Sequence, residues 1–228
     1  MIAEIKAVAR TRLATEGANL SLRAVARDMG MVSSAIYRYF ASRDELLTAL
    51  ILDAYNDLGE TVEAADRDVA DRTRVRGRWL AAGQALRAWA LARPADYALL
   101  YGSPVPGYAA PADTIAAAAR TPAVLARILA DGYASGQLSA GGPAPEVPLP
   151  AAVRADLAGA RDALAPGIPE ELMLAGLASW LQLFGAVSFE LFGQLNNVIE
   201  ARAEFFELNL SLMADVMGLQ TDDEREGT

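Results

Sequence analysis

Apolar residues recur every three or four positions along most of this chain, and nowhere do they alternate in twos for long enough to make a strand. Val75, Trp79, Ala82, Leu86 and Trp89 step by four, three, four and three, which puts them on one face of a long helix. Ile5, Ala9 and Leu13 repeat every four residues and mark a first helix over about 3 to 16. This periodicity excludes sheet-based folds and predicts an all-α chain.

Local signals punctuate the helices. Gly17 is a natural stop for the first. Ser21 can cap a short second helix over Leu22 to Met29, and Gly30 can end it in the left-handed conformation. Ser33 or Ser34 opens a third short helix reaching Tyr39 or Phe40. Ser42-Arg43-Asp44-Glu45 reads as a capping box opening a helix to about Ala64. Arg93-Pro94 ends or breaks the long helix that follows. Gly102 to Gly107 is a turn or loop, and Thr121-Pro122 starts a helix that stops near Gly136. From Gln137 to Pro150 two Gly and four Pro make a loop. A helix near 151–164, a long apolar helix from Pro169 to about Leu195 and a last one over about Ile199 to Met217 complete the series. The tail Thr221–Thr228 holds four acids and one Arg and is expected to fray.

The chain has 228 residues, 53% of them apolar and 21% charged, which is a globular balance. It contains no Cys and no His. Disulfides, iron–sulfur clusters, thiolate chemistry and Ser-His or Cys-His catalysis are therefore excluded, along with most zinc sites, and no cofactor is expected. Glu4, Lys6, Arg10, Arg12 and Glu16 interrupt any apolar signal core, so no targeting segment is expected. Leu172 to Phe189 carries no charge over 18 residues, the lower limit for a membrane span. Its flanks, Glu170, Glu171 and Glu190, offer no Lys or Arg anchor, so it reads as a buried bundle helix, with a span as the alternative.

Charge is uneven. Residues 1–48 carry seven basic and five acidic side chains, whereas the remainder carries 13 and 24, giving a net charge of −9 for the whole. A mildly basic N-terminal fifth on an acidic body points to one local anion-contacting surface.

Segment 21–40 has the layout of a helix-turn-helix: short helix, glycine-containing turn, short helix. Val25, Ala26, Met29, Ile36 and Phe40 would hold the pair together, while the second helix fits a DNA major groove. The run Ser21-Leu22-Arg23-Ala24-Val25-Ala26-Arg27-Asp28-Met29-Gly30-Met31-Val32-Ser33-Ser34-Ala35-Ile36-Tyr37-Arg38-Tyr39-Phe40, followed by Ser42-Arg43-Asp44-Glu45-Leu46-Leu47, resembles the DNA-binding domain of the tetracycline-repressor (TetR) family. The resemblance implies an N-terminal three-helix helix-turn-helix domain over 1–46, a C-terminal helical bundle for effector binding and dimerisation over 47–220, and an acidic tail over 221–228. It implies DNA contacts from Ser21 and Arg23 on the bracing helix, and from Ser33, Ser34 and Ala35 at the start of the recognition helix. Tyr37, Arg38 and Tyr39 match positions that touch phosphates and flanking bases. Arg43 matches a phosphate contact helped by free helix amides. Tyr37 can instead serve packing, and Arg27 reads better as a solvated charge. Val32 stands where a Ser often caps the recognition helix, a task Ser33 can take over. The sequence begins almost at the first helix, so the basic arm that some family members insert into the minor groove is not expected from these residues.

Ser179-Trp180-Leu181-Gln182-Leu183-Phe184-Gly185 resembles the Trp…His-Gly signature of one TetR C-terminal subgroup, with Phe184 in place of the His, and Pro94 to Gly102 is similar to that subgroup too. The family resemblance implies a dimer, with Leu172, Gly176, Leu183, Val187, Phe205, Leu208 and Leu212 as interface candidates. It also implies a small-molecule effector pocket, with Trp79, Trp89, Tyr97, Tyr101, Tyr133, Met173, Leu177 and Trp180 as candidate lining. Plain core packing accounts for aromatic residues in a bundle equally well. Few charges on those helices favour an apolar or amphipathic effector. The expected protein is a cytoplasmic, ligand-responsive repressor that binds double-stranded DNA at a palindromic operator. The alternative is a helical oligomeric interaction protein with a non-functional helix-turn-helix. Asp222-Asp223 resembles the metal-binding carboxylates of isoprenoid enzymes but has no partner pair, so no enzyme and no metal are expected.

Overall fold

The computed structural model describes residues 1–16, 20–138 and 149–220, and among them there are eleven helices and no strand. Gly17, most of the glycine- and proline-rich loop, and the acidic tail with Asp222 and Asp223 lie outside the described residues. The helices are α1 (Ile2–Glu16), α2 (Leu22–Asp28), α3 (Ser33–Ile36), α4 (Arg43–Asp68), α5 (Val75–Ala92), α6 (Pro94–Tyr101), α7 (Thr114–Ala118), α8 (Arg120–Ala134), α9 (Ala151–Leu164), α10 (Glu170–Leu191) and α11 (Arg202–Val216). The chain divides into two compact units. The N-terminal unit comprises Met1–Gly59 with Trp89–Ala118, and the C-terminal unit comprises Glu60–Ala88 with Ala119–Thr228.

In the N-terminal unit, α1 packs against α2 and α6, and α2 packs against α3. Ile5 and Ala9 of α1, Val25 and Ala26 of α2, Ile36 and Phe40, and Leu46, Leu47 and Leu50 of α4 form one buried cluster, with Met29 and Met31 packed on its edge. Gly30 sits at φ +66, the left-handed conformation that costs a glycine least. The amide of Gly30 then donates to Arg27 O (3.0 Å) and that of Met31 to Ala26 O (2.9 Å), which ends α2 and turns the chain toward α3. Ser21 occupies the cap position of α2 but its hydroxyl makes no capping bond; its backbone carbonyl accepts from Ala24 and Val25 instead. Neither does a side chain cap α3, whose cap residue is the exposed Val32. At α4 the Glu45 amide donates to Ser42 Oγ (3.1 Å), while the Glu45 carboxylate reaches back to the amide of Ala41 (2.6 Å).

In the C-terminal unit, α10 packs against α8, α9 and α11. Trp79, Leu86, Ile128, Leu183, Leu210 and Met213 are buried in its core. Helix α10 is long and apolar enough to cross a membrane by length and composition, yet Leu172, Met173, Leu183 and Val187 are covered by the unit's own helices. It ends at Leu191, four residues short of the expected Leu195, and Gly193 (φ +81) and Asn197 (φ 61) then turn the chain. That turn delays α11 to Arg202, past the expected Ile199.

Charge is also buried here. Arg78 and Asp66 are essentially inaccessible and meet through Nε and Oδ1 at 2.7 Å. Burial pushes the Asp66 carboxyl upward, but hydrogen bonds from Arg78 and Arg72 outweigh it and leave the group below its ordinary value. Glu190 of α10 receives a two-pronged bond from Arg87 of α5, Nε to Oε2 at 2.7 Å and Nη2 to Oε1 at 2.6 Å.

Candidate nucleic-acid interface and ligand cavity

The outward face of α2 and α3 is set by what points inward. Val25 and Ile36 are fully buried, so the opposite sides of their short helices must face solvent. Ser21, Arg23, Ser33, Ser34, Tyr37, Arg38 and Tyr39 are all exposed, and Ala35 is half-buried. Tyr37, at 46% exposure, is not a core residue. The structure thus brings these eight candidates onto solvent-facing parts of α2, α3 and the turn that follows.

Arg43 is different. Its Nε donates to Leu20 O (3.0 Å), tying the start of α4 to the chain ahead of α2, and Asp44 lies 3.8 Å from it. The Glu45 amide is occupied by Ser42 Oγ, and Asp44 and Glu45 put two carboxylates in the first turn. The α4 N-terminus therefore offers fewer free amides and less positive potential than expected.

Sequence reading missed how the basic residues divide. Lys6 and Arg10 both pair with Asp53 (2.6 and 2.9 Å), and Arg10 also meets Asp96 (3.3 Å). Arg12 grips Asp28 with Nε (2.6 Å) and Nη2 (2.8 Å). Arg23, Arg27 and Arg38 make no ion pair among the described residues. The α1 cations are thus neutralised internally, and the net positive field comes from α2 and the turn after α3.

In the C-terminal unit a cavity of about 250 Å³ is lined by α5, α8, the end of α9 and α10. Of the expected lining residues it brings together Trp79, Met173, Leu177 and Trp180, and adds Leu125, Ala126, Leu129, Leu164 and Ile168. Tyr133 sits on α8 but does not line it. Trp89, Tyr97 and Tyr101 belong to the N-terminal unit. There Trp89 Nε1 donates to Asp57 Oδ2 (2.7 Å), and the Tyr97 and Tyr101 rings are 5.1 Å apart. No lining residue of the cavity is ionisable.

An apolar face of the C-terminal unit stays open. Leu181, Phe189 and Phe192 on α10 and just beyond it, with Phe205, Leu208, Leu212 and Val216 on α11, are exposed. Of the expected interface residues, Phe205, Leu208 and Leu212 lie on this face. Leu172, Leu183 and Val187 do not: they are buried in the chain's own core. Gly176 lines the cavity, where a Cβ would come within 2.4 Å of Leu129 Cδ1. Helix α10 is apolar nearly all round, so its sequence marks no stripe as the one its own unit covers.

Residues 5–50 match the family described as bacterial regulatory proteins, tetR family, and residues 79–213 match the tetracyclin repressor-like C-terminal domain. The HTH-type transcriptional regulator Rv1816 of Mycobacterium tuberculosis is 41% identical over 199 residues, covering 84% of this chain and 81% of its own. The chain belongs to the TetR family. Among solved structures this TetR protein is similar to SCO4313, described as a regulatory protein, with 37% identity, a TM-score of 0.75 and coverage of 93% and 94% of the two chains. PfmR of Thermus thermophilus, also of the TetR family, shares the fold at 18% identity and a TM-score of 0.60, covering 95% of this chain and 99% of its own. Members of the family are transcriptional regulators that bind DNA through the helix-turn-helix, and this chain is one of them.

Proposed function

We propose that this TetR regulator is a homodimeric, ligand-responsive repressor that binds a palindromic operator and is released by a small apolar or amphipathic effector. The observation that carries the reading is the pairing of exposed arginines on α2 (Arg23, Arg27) and in the turn after α3 (Arg38), none of them in an ion pair among the described residues, with a separate cavity that no charged side chain lines. Ser33, Ser34 and Ala35 read base edges, Arg23 reaches a guanine, and Tyr37, Arg38 and Tyr39 hold phosphates and flanking bases. Arg43 positions the chain before α2 as well as approaching the backbone. A regulator of this kind works where the chromosome lies, in the cytoplasm.

Two copies meet through the open face of α10 and α11. Each copy contributes two helices, and the resulting four-helix bundle covers Leu181, Phe189, Leu208 and Leu212. The exposed bond from Gln182 Nε2 to Asn209 Oδ1 (3.3 Å) puts one polar pair on those helices, a feature suited to fixing their register. The effector acts by changing the spacing of the two recognition helices, a coupling of about 1–3 kcal/mol.

Genome-fragment selection with the purified protein, followed by release with a panel of apolar compounds, tests this. The expected result is enrichment of an inverted repeat whose binding weakens with salt and with one compound class. A flat gel-shift screen against the gene's own upstream DNA would favour an interaction protein with a non-functional helix-turn-helix.

A further inference from the structure

We infer that the C-terminal cavity takes a hydrocarbon body about the size of an alkylbenzene, with no hydrogen-bonding atom inside it, and that the contact between Gly176 and Leu129 sets the longest body it admits. The inference rests on the effector-site reading above and narrows its chemistry. Every side chain on the cavity wall is apolar, and two of them, Trp79 and Trp180, carry an indole nitrogen. Neither nitrogen is open to a ligand. Trp79 Nε1 donates to Leu210 O at 3.0 Å. Trp180 Nε1 presents essentially no surface to a water-sized molecule. The Met173 sulfur is at most a weak acceptor. A ligand carbonyl, hydroxyl or carboxylate seated against these side chains would lose its water and gain no hydrogen bond from them in return. Recognition is therefore by shape and dispersion.

Size follows from the same wall. The cavity, at about 250 Å³, exceeds the roughly 150 Å³ void that holds benzene. It therefore accommodates an aromatic ring with a short alkyl chain. Gly176 of α10 and Leu129 of α8 both line it. A Cβ at position 176 would fall 2.4 Å from Leu129 Cδ1 and 3.9 Å from its Cγ. Leu129 is 4% exposed, so it is packed on its other sides, and the empty space beside it is the cavity. Adding the Cβ turns the Leu129 side chain into that space and shortens it. Trimming Leu129 itself has the opposite effect.

The test uses four probes: toluene and n-butylbenzene (hydrocarbons of two sizes), butyrophenone (a ketone) and 4-phenylbutyrate (a carboxylate). Calorimetric titration of the full-length protein is expected to show both hydrocarbons binding, butyrophenone binding roughly tenfold more weakly than n-butylbenzene, and 4-phenylbutyrate not binding. The ratio of the toluene Kd to the n-butylbenzene Kd reads the Gly176–Leu129 contact. It is expected to fall roughly tenfold in Gly176→Ala and to rise roughly threefold in Leu129→Val. The second variant decides the matter should Gly176→Ala lose its helical circular dichroism. An unmoved ratio in a folded variant overturns the role of the contact. Butyrophenone binding as tightly as n-butylbenzene, or measurable binding of 4-phenylbutyrate, overturns the hydrocarbon assignment. Each of these results leaves the cavity as the effector site. Binding by none of the four overturns the effector-site reading and this inference together.

Discussion

Arg78 and Asp66 form a charge pair with both partners inside the C-terminal unit, 0% and 1% exposed, joined at 2.7 Å. Asp66 also accepts from Arg72 Nη2 at 2.8 Å, and Arg78 Nη1 reaches Asp131 at 2.8 Å. Such a pair is costly to half-remove, because the buried Arg78 would keep only the half-exposed Asp131 as counter-ion. Asp66→Asn is expected to destabilise the protein by about 3–5 kcal/mol in urea denaturation at fixed protein concentration. An unchanged midpoint would mean that water reaches Arg78.

The same pair predicts a pH dependence. The folded carboxyl of Asp66 sits below its unfolded value because its hydrogen bonds from arginine outweigh the effect of burial. Its contribution is therefore complete above the ordinary carboxylate range, about pH 4, and is lost as pH falls through the lower folded value. Thermal unfolding followed from pH 6 downward should fall more steeply in wild type than in Asp66→Asn. Parallel curves would remove Asp66 from the acid transition.

For DNA, the division of basic residues makes the prediction specific. Arg38→Ala should weaken binding to all sequences alike and lower the salt slope by about one. Arg10→Ala, whose guanidinium is already matched by Asp53 and Asp96, should leave that slope unchanged. Arg43→Ala should weaken DNA binding and also cost about 0.5–1.5 kcal/mol of stability, since the bond to Leu20 O goes with it. Ser34→Ala should change sequence preference rather than the slope. Fluorescence anisotropy over a salt series reads all four variants.

The open face of α10 and α11 is tested by charge. Leu181→Glu combined with Leu208→Glu places carboxylates at positions 60% and 64% exposed, so each folded chain should persist. Sedimentation velocity is expected to show monomers where wild type shows dimers, with the helical signal retained. A variant that still dimerises would move the interface elsewhere.

Gly83 marks where α5 lies close to α11. An added Cβ would fall 2.4 Å from Leu210 Cδ2 and 3.0 Å from Cδ1, and Leu210 is fully buried. Gly83→Ala gains about 1 kcal/mol in helix propensity. Overpacking costs about 1–3 kcal/mol, and the Leu210 carbonyl must also keep its bond to Trp79. A net loss of about 1–2 kcal/mol is expected, seen as a lower melting temperature, and a rise would show that Leu210 can yield.

Much was legible without coordinates. The three-to-four-residue spacing of Ile5, Ala9 and Leu13, the glycine at 30 and the Ser42–Glu45 box are local signals, and each acts within one or two helical turns. They therefore determined an all-α chain, the helix-turn-helix and most helix boundaries. Val75, Trp79, Ala82, Leu86 and Trp89 do share a helix, but the division between the two units falls between Ala88 and Trp89. Periodicity reports which side of a helix is apolar and is silent on what that side meets. Only tertiary packing decided that Trp79 borders the cavity while Trp89 anchors to Asp57, that Leu183 and Val187 face inward while Leu181 and Phe189 stay open, and that Lys6, Arg10 and Arg12 spend their charge on aspartates. Those outcomes depend on residues tens of positions away along the chain, and distance in sequence carries no record of proximity in space.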